Sequence, residues 1–374
     1  MKILTILGAR PQFIKAAAVS RAIRAHNAKI GRGNTSTRIE ERIVHTGQHF
    51  DANMSDVFFE QLDIPEPDEN LGIASLSHGA MTGRMLEKIE ASIQNHPPDW
   101  VLVYGDTNST LAGALAAVKL HVPIAHVEAG LRSHDPAMPE EINRVLTDRI
   151  SNLLFCPTGT AVANLEREGF PHSATGGATQ RIENVGDVMY DATLFYREMA
   201  SHNTSLDTWN LNDQDYALCT LHRQENTDNP KRLPEILQAL TEIARNLPVV
   251  ILLHPRTRKV IAEQGLEGTL QPLKVLEPQP YLETQRLLMG ARLVLTDSGG
   301  LQKEAFFHSV PCVTLRPQTE WTETVESGWN QLADASKEKI TAAALNPTRP
   351  NDTNQYPYGN GKAAEEIVTC LLNA

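Results

Sequence analysis

Two apolar segments in the first half of the chain each run into a carboxylate, and a short Ala- and Leu-rich segment joins them. Residues 101–104 lead into Asp106, and residues 123–127 lead into Glu128. The joining segment, residues 109–120, is typical of a helix. A strand, a helix and a second strand with so short a connection make the two strands parallel neighbours. Asp106 and Glu128 are therefore expected at the carboxyl ends of adjacent strands, where open α/β sheets bind their ligands.

The same alternation of strand and helix patterns continues along the chain and predicts an α/β fold with doubly wound parallel sheets. In the first half we predict strands over residues 3–7, 42–46, 101–104, 123–127 and 153–156, and helices over 13–26, 53–61, 81–94, 109–120 and 140–151. In the second half we predict strands over 217–221, 249–253, 274–276, 293–296 and 312–315, and helices over 231–246 and 281–289. Residues 28–38, rich in Gly, Ser and Thr, are predicted to form a loop.

The alternation restarts after residue 186, and a chain of 374 residues is long for a single hydrophobic core. We predict an N-terminal Rossmann-like domain over residues 1–186 that carries the acids, and a C-terminal Rossmann-like domain over 187–360. A final helix over 361–374 can pack back on the first domain. One large sheet is the alternative.

Composition limits the partners and the compartment that we expect. The formal net charge of −11 argues against a nucleic acid or an anionic membrane surface as a partner. No apolar segment approaches the ~20 residues that span a bilayer, and the chain enters its first strand without a signal peptide. The cysteines lack the spacing of a disulfide framework or a metal cluster, and no predicted helix carries two histidines at the spacing of a metal site. We therefore expect a cytoplasmic protein without a bound metal.

A strand, a turn of small residues and a helix start follow one another late in the chain. Residues 293–296 lead into Asp297-Ser298-Gly299-Gly300, after which a helix begins. The free N–H groups and the positive dipole end of such a helix bind anions, and Gly lets phosphate oxygens approach the backbone. Glu304, one turn further along, can reach a ribose hydroxyl. A structural helix cap explains Ser298 equally well.

A second anion-suited element opens the chain, at Leu7-Gly8-Ala9-Arg10-Pro11. Arg10 follows the first strand and Lys15 lies early in the next helix, so both can reach a diphosphate. An exposed Arg beside a turn-forming Pro is the alternative. Two such elements on two Rossmann-like domains indicate a nucleotide ligand in the cleft that the domains face. The chain lacks the Gly-rich fingerprint of NAD sites and the Walker loop of ATP sites, which argues against both cofactors.

Two further residues are candidates for acid–base chemistry. His222 follows the strand predicted over 217–221, at the same cleft, although a hydrogen-bonded loop His is the alternative. Glu140 begins a helix soon after the Glu128 loop, where Pro and acids are also what helix starts prefer. Among several neighbouring carboxylates one can be kept protonated, which makes an acid and a base available together.

In this order the motifs resemble those of the non-hydrolysing UDP-N-acetylglucosamine 2-epimerases, over nearly the whole chain. The resemblance rests on residues 8–11, 105–107, 126–132, 139–141, 296–300 and 357–361. It implies two Rossmann-like domains facing a cleft, the arrangement called GT-B-like, with residues 187–360 binding UDP. It also implies a homodimer and a reaction that needs no redox cofactor.

The resemblance further implies the chemistry. A base removes the C2 proton while UDP leaves C1, giving a 2-acetamidoglucal, and UDP adds back after reprotonation on the opposite face. This converts UDP-GlcNAc to UDP-ManNAc, a precursor for surface polysaccharides. The implied proton-transfer residues are Asp106, Glu128 and Glu140, with His222 as a phosphate or acid–base partner. The implied substrate-binding residues are Arg10, Lys15, Ser298, Gly299, Gly300 and Glu304. Which acid serves which face stays open.

Some positions depart from the best-known members of the family. Those members have Gly where this chain has Leu221, and they have an Arg in the segment where this chain reads Thr-Glu-Trp-Thr-Glu, residues 319–323. Residues 8–15 and 45–51 resemble a branch that includes 2-epimerases of UDP-2,3-diacetamido-2,3-dideoxyglucuronic acid. Such a substrate carries an extra carboxylate, for which the candidate partners are Arg84, Arg132, Arg256 and Arg258. A second UDP-sugar site, known in some members, stays open here.

Three other activities fit the same motifs. A GT-B-type glycosyltransferase would need an acceptor groove, and the first domain shows no apolar or basic helix for a lipid acceptor. A non-catalytic nucleotide-sugar binding protein would use the acids for affinity alone. A hydrolysing epimerase would release free ManNAc.

Overall fold

The computed structural model describes residues 1–30, 38–48, 59, 62–173, 179–350 and 356–374. The helix predicted over 53–61 falls outside this set apart from residue 59, as do residues 49–51 of the branch motif and most of the predicted loop over 28–38. The chain forms two compact units, Met1–Ala192 with Tyr356–Ala374, and Thr193–Gln355. Among the described residues no helix is both long and apolar enough to span a membrane.

Strands and helices alternate along most of the chain. The strands are β1 (Lys2–Leu7), β2 (Glu40–His45), β3 (Glu69–Asn70), β4 (Trp100–Tyr104), β5 (Ile124–Val127), β6 (Leu153–Cys156), β7 (Arg181–Asn184), β8 (Ala217–Thr220), β9 (Val249–Leu252), β10 (Lys274–Leu276), β11 (Leu293–Thr296), β12 (Cys312–Thr314) and β13 (Asn330–Leu332). The helices are α1 (Arg10–Lys29), α2 (His78–Asn95), α3 (Asn108–Lys119), α4 (Pro139–Ile150), α5 (Gly159–Arg167), α6 (Val188–Asn203), α7 (Gln224–Thr227), α8 (Arg232–Ile243), α9 (Pro255–Glu263), α10 (Tyr281–Gly290), α11 (Gly299–Phe307), α12 (Thr322–Glu326), α13 (Lys337–Leu345) and α14 (Ala363–Leu372).

The first unit contains a seven-stranded parallel sheet in the order β3-β2-β1-β4-β5-β6-β7. Its central strands are apolar on both faces because helices cover both sides, as is usual in doubly wound sheets. Strands β4 and β5 pair in parallel, with Val103 opposite His126 and Tyr104 opposite Val127. Helix α3 makes the crossover between them. The predicted strand–helix–strand unit is confirmed, so Asp106 and Glu128 follow neighbouring strands at one edge of the sheet.

The C-terminal helix belongs to the first unit and packs on α1. The carboxylate of Asp191 accepts the backbone N–H groups of Ala363 and Ala364 at the start of this helix, at 3.2 and 2.8 Å. Nearby, the N–H of Asp187 donates to the carbonyl of Tyr358 at 3.0 Å. These bonds fix the end of the chain to the segment that leaves the first sheet. The sequence predicts domain limits at 186 and 360, whereas the compact units divide at 192 and 355.

The second unit contains a six-stranded parallel sheet in the order β10-β9-β8-β11-β12-β13. Strands β8 and β11 lie at its centre, where the hydroxyls of Thr220 and Thr296 bond at 2.6 Å. The segments after these two strands, which carry His222 and Ser298, therefore emerge side by side at the carboxyl edge. The predicted fold class, two Rossmann-like doubly wound α/β domains, is confirmed.

Candidate active site

Asp106 lies in the turn between β4 and α3, and helix α4 holds it. Nη2 of Arg144 donates to Asp106 Oδ2 at 2.6 Å, and the side-chain amide of Asn143 donates to the Asp106 carbonyl at 2.9 Å. Its side chain keeps 28% of its surface exposed, which leaves it open to a ligand. Burial in the surrounding turn raises the pKa of Asp106; the charges of Arg144 and Lys15 oppose this rise, and those of Glu128 and Glu140 add to it.

Glu128 immediately follows β5 and has a left-handed backbone with φ of +75°. Such a conformation in a non-Gly residue costs on the order of 1 kcal/mol and persists where the surroundings enforce it, often at functional sites. Here the N–H groups of Glu128 and Ala129 both donate to the Phe155 carbonyl at 3.0 Å. The buried Glu128 carboxylate forms an ion pair with the buried Lys15 ammonium.

Glu128 lies beside Gly105, the residue that precedes Asp106 in the chain. A methyl group at this position would lie 3.3 Å from Glu128 Oε2 and 3.6 Å from Lys15 Nζ. The φ of Gly105 is +60°, a conformation that favours glycine. The structure thus brings Asp106, Glu128 and Lys15 together at the carboxyl edge of the first sheet, each acid next to a different cation.

Glu140 and Glu141 begin helix α4 but have different environments. Glu140 is exposed, and its charge contributes to the raised pKa of Asp106. Glu141 is buried and accepts the N–H groups of Ser133 and His134 at 2.9 and 3.0 Å. Of these two acids, Glu140 is therefore the one whose side chain is exposed.

Arg10 and Lys15 both lie in the first part of α1, which begins at Arg10 and not at Phe13 as predicted. Arg10 is half-buried, in the first turn of the helix. Lys15 was expected to reach a diphosphate, but its ammonium is paired with Glu128. This ion pair places the Lys15 ammonium beside the candidate acid Glu128.

The turn after β11 begins helix α11 in the second unit. The Ser298 hydroxyl caps the helix by accepting the N–H of Leu301 at 3.4 Å, and Gly299 and Gly300 are its first two residues. The backbone N–H groups of this first turn point out of the helix end, where an anion binds favourably. Glu304 is buried, and burial followed by the charge of Glu304 raises the pKa of the nearby Tyr281 well above its usual range.

His222 and the Ser298 turn are joined by Asp297, a residue that the sequence analysis did not single out. The fully buried Asp297 carboxylate accepts the backbone N–H groups of His222 and Arg223, at 3.2 and 3.0 Å. Nδ1 of His222 lies 3.3 Å from Asp297 Oδ1, while about half of the His222 side chain is exposed. Partial burial lowers the pKa of His222, against the opposing effect of Asp297, and Arg223 adds to the decrease. The lowered pKa favours the neutral imidazole of His222, whose side chain stays half exposed.

Three of the four arginines considered as partners for an extra substrate carboxylate form ion pairs within the protein. Arg132 is buried and pairs with Asp148 and Glu168 at 2.7 Å each. Arg256 pairs with Asp228, and Arg258 with Glu277, both at 2.6 Å and at the surface. Arg84 is exposed on α2. The buried pairing of Arg132 makes it part of the scaffold and removes it from the candidates for substrate contact.

Comparisons with known proteins identify the family of this chain. Residues 32–372 match the family model described as UDP-N-acetylglucosamine 2-epimerase. The UDP-2,3-diacetamido-2,3-dideoxy-D-glucuronate 2-epimerase of Pseudomonas aeruginosa is 54% identical over 99% of each chain. The UDP-N-acetylglucosamine 2-epimerase of Methanocaldococcus jannaschii is 44% identical over 99% of each chain.

Solved structures give the same result. The structure of the M. jannaschii enzyme in complex with UDP-GlcNAc and UDP covers 100% of both chains with a TM-score of 0.87 and 44% identity. The UDP-GlcNAc 2-epimerase of Neisseria meningitidis, bound to UDP-GlcNAc, covers 100% of both chains with a TM-score of 0.85 and 30% identity. The resemblance noted in the sequence is confirmed, and this chain belongs to the UDP-N-acetylglucosamine 2-epimerase family of isomerases.

Proposed function

We propose that the protein epimerises C2 of a UDP-activated 2-acetamido sugar, converting UDP-GlcNAc to UDP-ManNAc. The observation that carries the proposal is that Glu128 lies beside Gly105, the residue before Asp106, and that each acid is next to its own cation. Inverting a carbon centre through its proton requires one group that removes the proton and another that returns it from the opposite face. Positioned acids and bases each accelerate such steps by ~10²–10⁴-fold.

The environments of the two acids favour different protonation states. The Lys15 ammonium favours the ionised carboxylate of Glu128, which suits a base. Burial raises the pKa of Asp106, which favours its protonated form and suits an acid. In the forward direction we assign proton removal to Glu128 and proton return to Asp106, and the roles exchange in reverse. Glu140, exposed beside them, is the third proton-transfer candidate.

The C2 hydrogen of a sugar is not acidic, so its removal must accompany departure of the leaving group from C1. The electron pair of the C2–H bond forms the double bond of a 2-acetamidoglucal while the C1–O bond breaks and UDP takes the electrons. Stabilising the departing diphosphate is then the main electrostatic task. We assign it to the N–H groups of Gly299 and Gly300, the Ser298 hydroxyl, Arg10 and His222. We assign Glu304 to binding a ribose hydroxyl of UDP. Lys15 is assigned to holding the Glu128 carboxylate.

Incubation with UDP-GlcNAc in deuterated water tests the proposal. We expect deuterium at C2 and formation of UDP-ManNAc, read by NMR. Absence of C2 exchange with every acetamido UDP-sugar would contradict the proposed function. Transfer of the sugar to an acceptor without exchange would indicate a glycosyltransferase, and free ManNAc a hydrolysing enzyme. Amide variants of Asp106 and Glu128 that change only affinity would indicate a binding protein.

A second candidate substrate is UDP-2,3-diacetamido-2,3-dideoxyglucuronic acid. The observation that favours it is the 54% identity to the P. aeruginosa enzyme, against 44% to the M. jannaschii one. Arg84, Arg256 and Arg258 remain candidate partners for its extra carboxylate. Measuring kcat/KM for both substrates side by side decides between them. A higher value for the uronate would assign it as the substrate, and a higher value for UDP-GlcNAc would exclude it.

We further propose a homodimer in the cytoplasm that supplies a surface polysaccharide precursor. Helix α4 supports the dimer, because Ile142, Val145 and Leu146 are 49, 37 and 46% exposed on one side of it. Light scattering after size exclusion tests this, and a monomer at micromolar concentration would contradict it. Deleting the gene and assaying surface polysaccharide tests the pathway assignment.

A further inference from the structure

A completely buried histidine lies directly behind the two acids. His126, in β5, has an exposed fraction of 0%. Its Nε2 lies 2.7 Å from the carbonyl oxygen of Gly105, and its Nδ1 lies 2.8 Å from Oδ1 of Asp148 in α4. A carbonyl oxygen only accepts hydrogen bonds, so Nε2 donates to Gly105. Both ring nitrogens of His126 are therefore hydrogen-bonded.

Asp148 continues the network towards the other acid. Its Oδ2 accepts the Gly130 N–H at 3.1 Å and Nη1 of Arg132 at 2.7 Å. Burial alone would raise the pKa of Asp148, but hydrogen bonds and charge from His126 and Arg132 lower it below its ordinary value. Arg132 in turn pairs with Glu168. Arg132 thus lies between two carboxylates, those of Asp148 and Glu168, so the charges of this network are paired.

The two ends of this network are the backbones of the two acid-bearing turns. Gly105 immediately precedes Asp106, and Gly130 lies two residues after Glu128. His126 and Asp148 thus connect both turns through three hydrogen bonds, behind the side chains that face a ligand. The left-handed backbone of Glu128 needs such enforcement, since its conformation is unfavourable by itself.

We propose that His126, together with Asp148, is a positioning pair that sets the separation of Asp106 and Glu128. This inference rests on the proposed function, in which both acids act on one C2 atom. Displacement of a reacting group by about 1 Å lowers rates by ~10²-fold. Arg144 holds the Asp106 carboxylate independently, so losing the pair shifts the turn without removing either acid.

The test compares His126→Gln and Asp148→Asn with a matched control, Gln180→Ala. Gln180 is 2% exposed and donates to the carbonyls of Asp148 and Ser151 at the end of α4, away from both acid turns. For each variant, kcat is measured per UDP-binding site, so that unfolded protein is not counted. KM, UDP affinity, C2 deuterium exchange and the thermal midpoint of unfolding are measured alongside.

We expect His126→Gln and Asp148→Asn each to lower kcat and C2 exchange by ~10²-fold, while KM and UDP affinity stay within about twofold. Gln180→Ala should lower the thermal midpoint by a similar amount yet leave kcat per site within about twofold of wild type. The double variant should lose little more than the worse single variant, because both substitutions break the same connection.

Wild-type kcat in His126→Gln, or an equal loss of kcat in Gln180→Ala, would overturn the inference. Losses that multiply in the double variant would also overturn it, because they would mean two independent effects. If His126→Gln fails to fold, Asp148→Asn answers the same question with His126 in place. A wild-type protein without C2 exchange would instead refute the proposed function, so the two failures are distinguishable.

Discussion

Two turns of this molecule have the same construction and use their aspartates differently. Both follow a central buried strand and begin a helix, and both helices are capped by a hydroxyl, Thr107 in one turn and Ser298 in the other. Asp106 in the first turn receives its side-chain hydrogen bond from Arg144 and stays partly exposed. Asp297 in the second is fully buried and accepts backbone N–H groups.

The difference teaches how to interpret a carboxylate at a strand end. Position alone does not make it reactive, because backbone N–H groups can occupy its oxygens. Asp297 holds the segment of His222 against the turn that follows β11. The Asp106 side chain stays partly exposed, near a second acid. The number of backbone donors that a carboxylate accepts therefore separates a scaffold acid from a candidate for catalysis.

The largest expected effect tests this distinction directly. Asp106→Asn should lower kcat by ~10²–10⁴-fold, because the amide cannot transfer the proton. UDP affinity should change by less than about threefold, and the free energy of unfolding by less than about 1 kcal/mol, since no buried backbone group loses a partner. NMR of C2 exchange, calorimetry with UDP and thermal unfolding check the three values. Wild-type turnover in this variant would mean that Asp106 has a structural role and does not transfer the proton.

Asp297→Asn should show the opposite pattern. The amide accepts through one oxygen only and turns its NH₂ group towards backbone donors, so the free energy of unfolding should fall by about 2 kcal/mol. Kinetic losses should then follow the loss of folded protein and of UDP affinity, with C2 exchange per bound substrate changed far less than in Asp106→Asn. Unchanged stability would show that the buried hydrogen bonds of Asp297 are not what holds this turn.

The same contrast explains what the sequence could predict. The strand–helix–strand unit was predictable because its strands are apolar and its helix is rich in Ala and Leu, so that local pattern and buried position agree. Edge strands β3, β7 and β13 were not predicted. They read Glu-Asn, Arg-Ile-Glu-Asn and Asn-Gln-Leu, and they become strands only by pairing with a neighbour. The C-terminal limit of α1 was predicted too early for a similar reason, since residues 27–29, Asn-Ala-Lys, carry no apolar periodicity.

The residues of the candidate site also fall into a group that the sequence could reveal and a group that it could not. The acids could be located because their position depends on strand ends, which the sequence reveals. The partners of the acids could not, since the Lys15–Glu128 contact joins residues 113 positions apart. Arg144 carried a usable signal, because it lies four residues after Glu140 on the same side of a helix. The hydrogen bonds of Asp297 and the left-handed backbone of Glu128 carried none, because both arise from tertiary packing.

A third, smaller effect is expected from a substitution in the turn that begins α11. A methyl group at Gly299 would lie 2.6 Å from Glu320 Oε1 and 3.1 Å from Trp321 Nε1, and Arg316 fixes Glu320 at 3.0 Å. Gly299→Ala must therefore displace the start of α11, and we expect a ~10-fold weaker UDP affinity, about 1.4 kcal/mol. At Gly300 the nearest atom would be Ser298 Oγ at 3.9 Å, so a loss in Gly300→Ala would come from the diphosphate itself. Calorimetry with UDP compares the two, and wild-type affinity in Gly299→Ala would mean that the helix start does not contact UDP.

The smallest change in rate, and the most specific, concerns the cation beside Asp106. Arg144→Gln keeps a donor but removes a charge that lowers the pKa of Asp106, so this pKa rises further above its ordinary value. Replacing a charge-assisted bond by a neutral one should reduce the maximal rate by about fivefold.

If Asp106 acts as the acid, activity requires its protonated form and declines as pH rises through its pKa. The Arg144→Gln substitution then moves the alkaline limb of the pH–rate profile to higher pH. If Asp106 acts as the base, the acidic limb moves to higher pH instead. The limb that moves therefore assigns the role of Asp106, and a profile in which neither limb moves would show that its carboxyl does not titrate in the reaction.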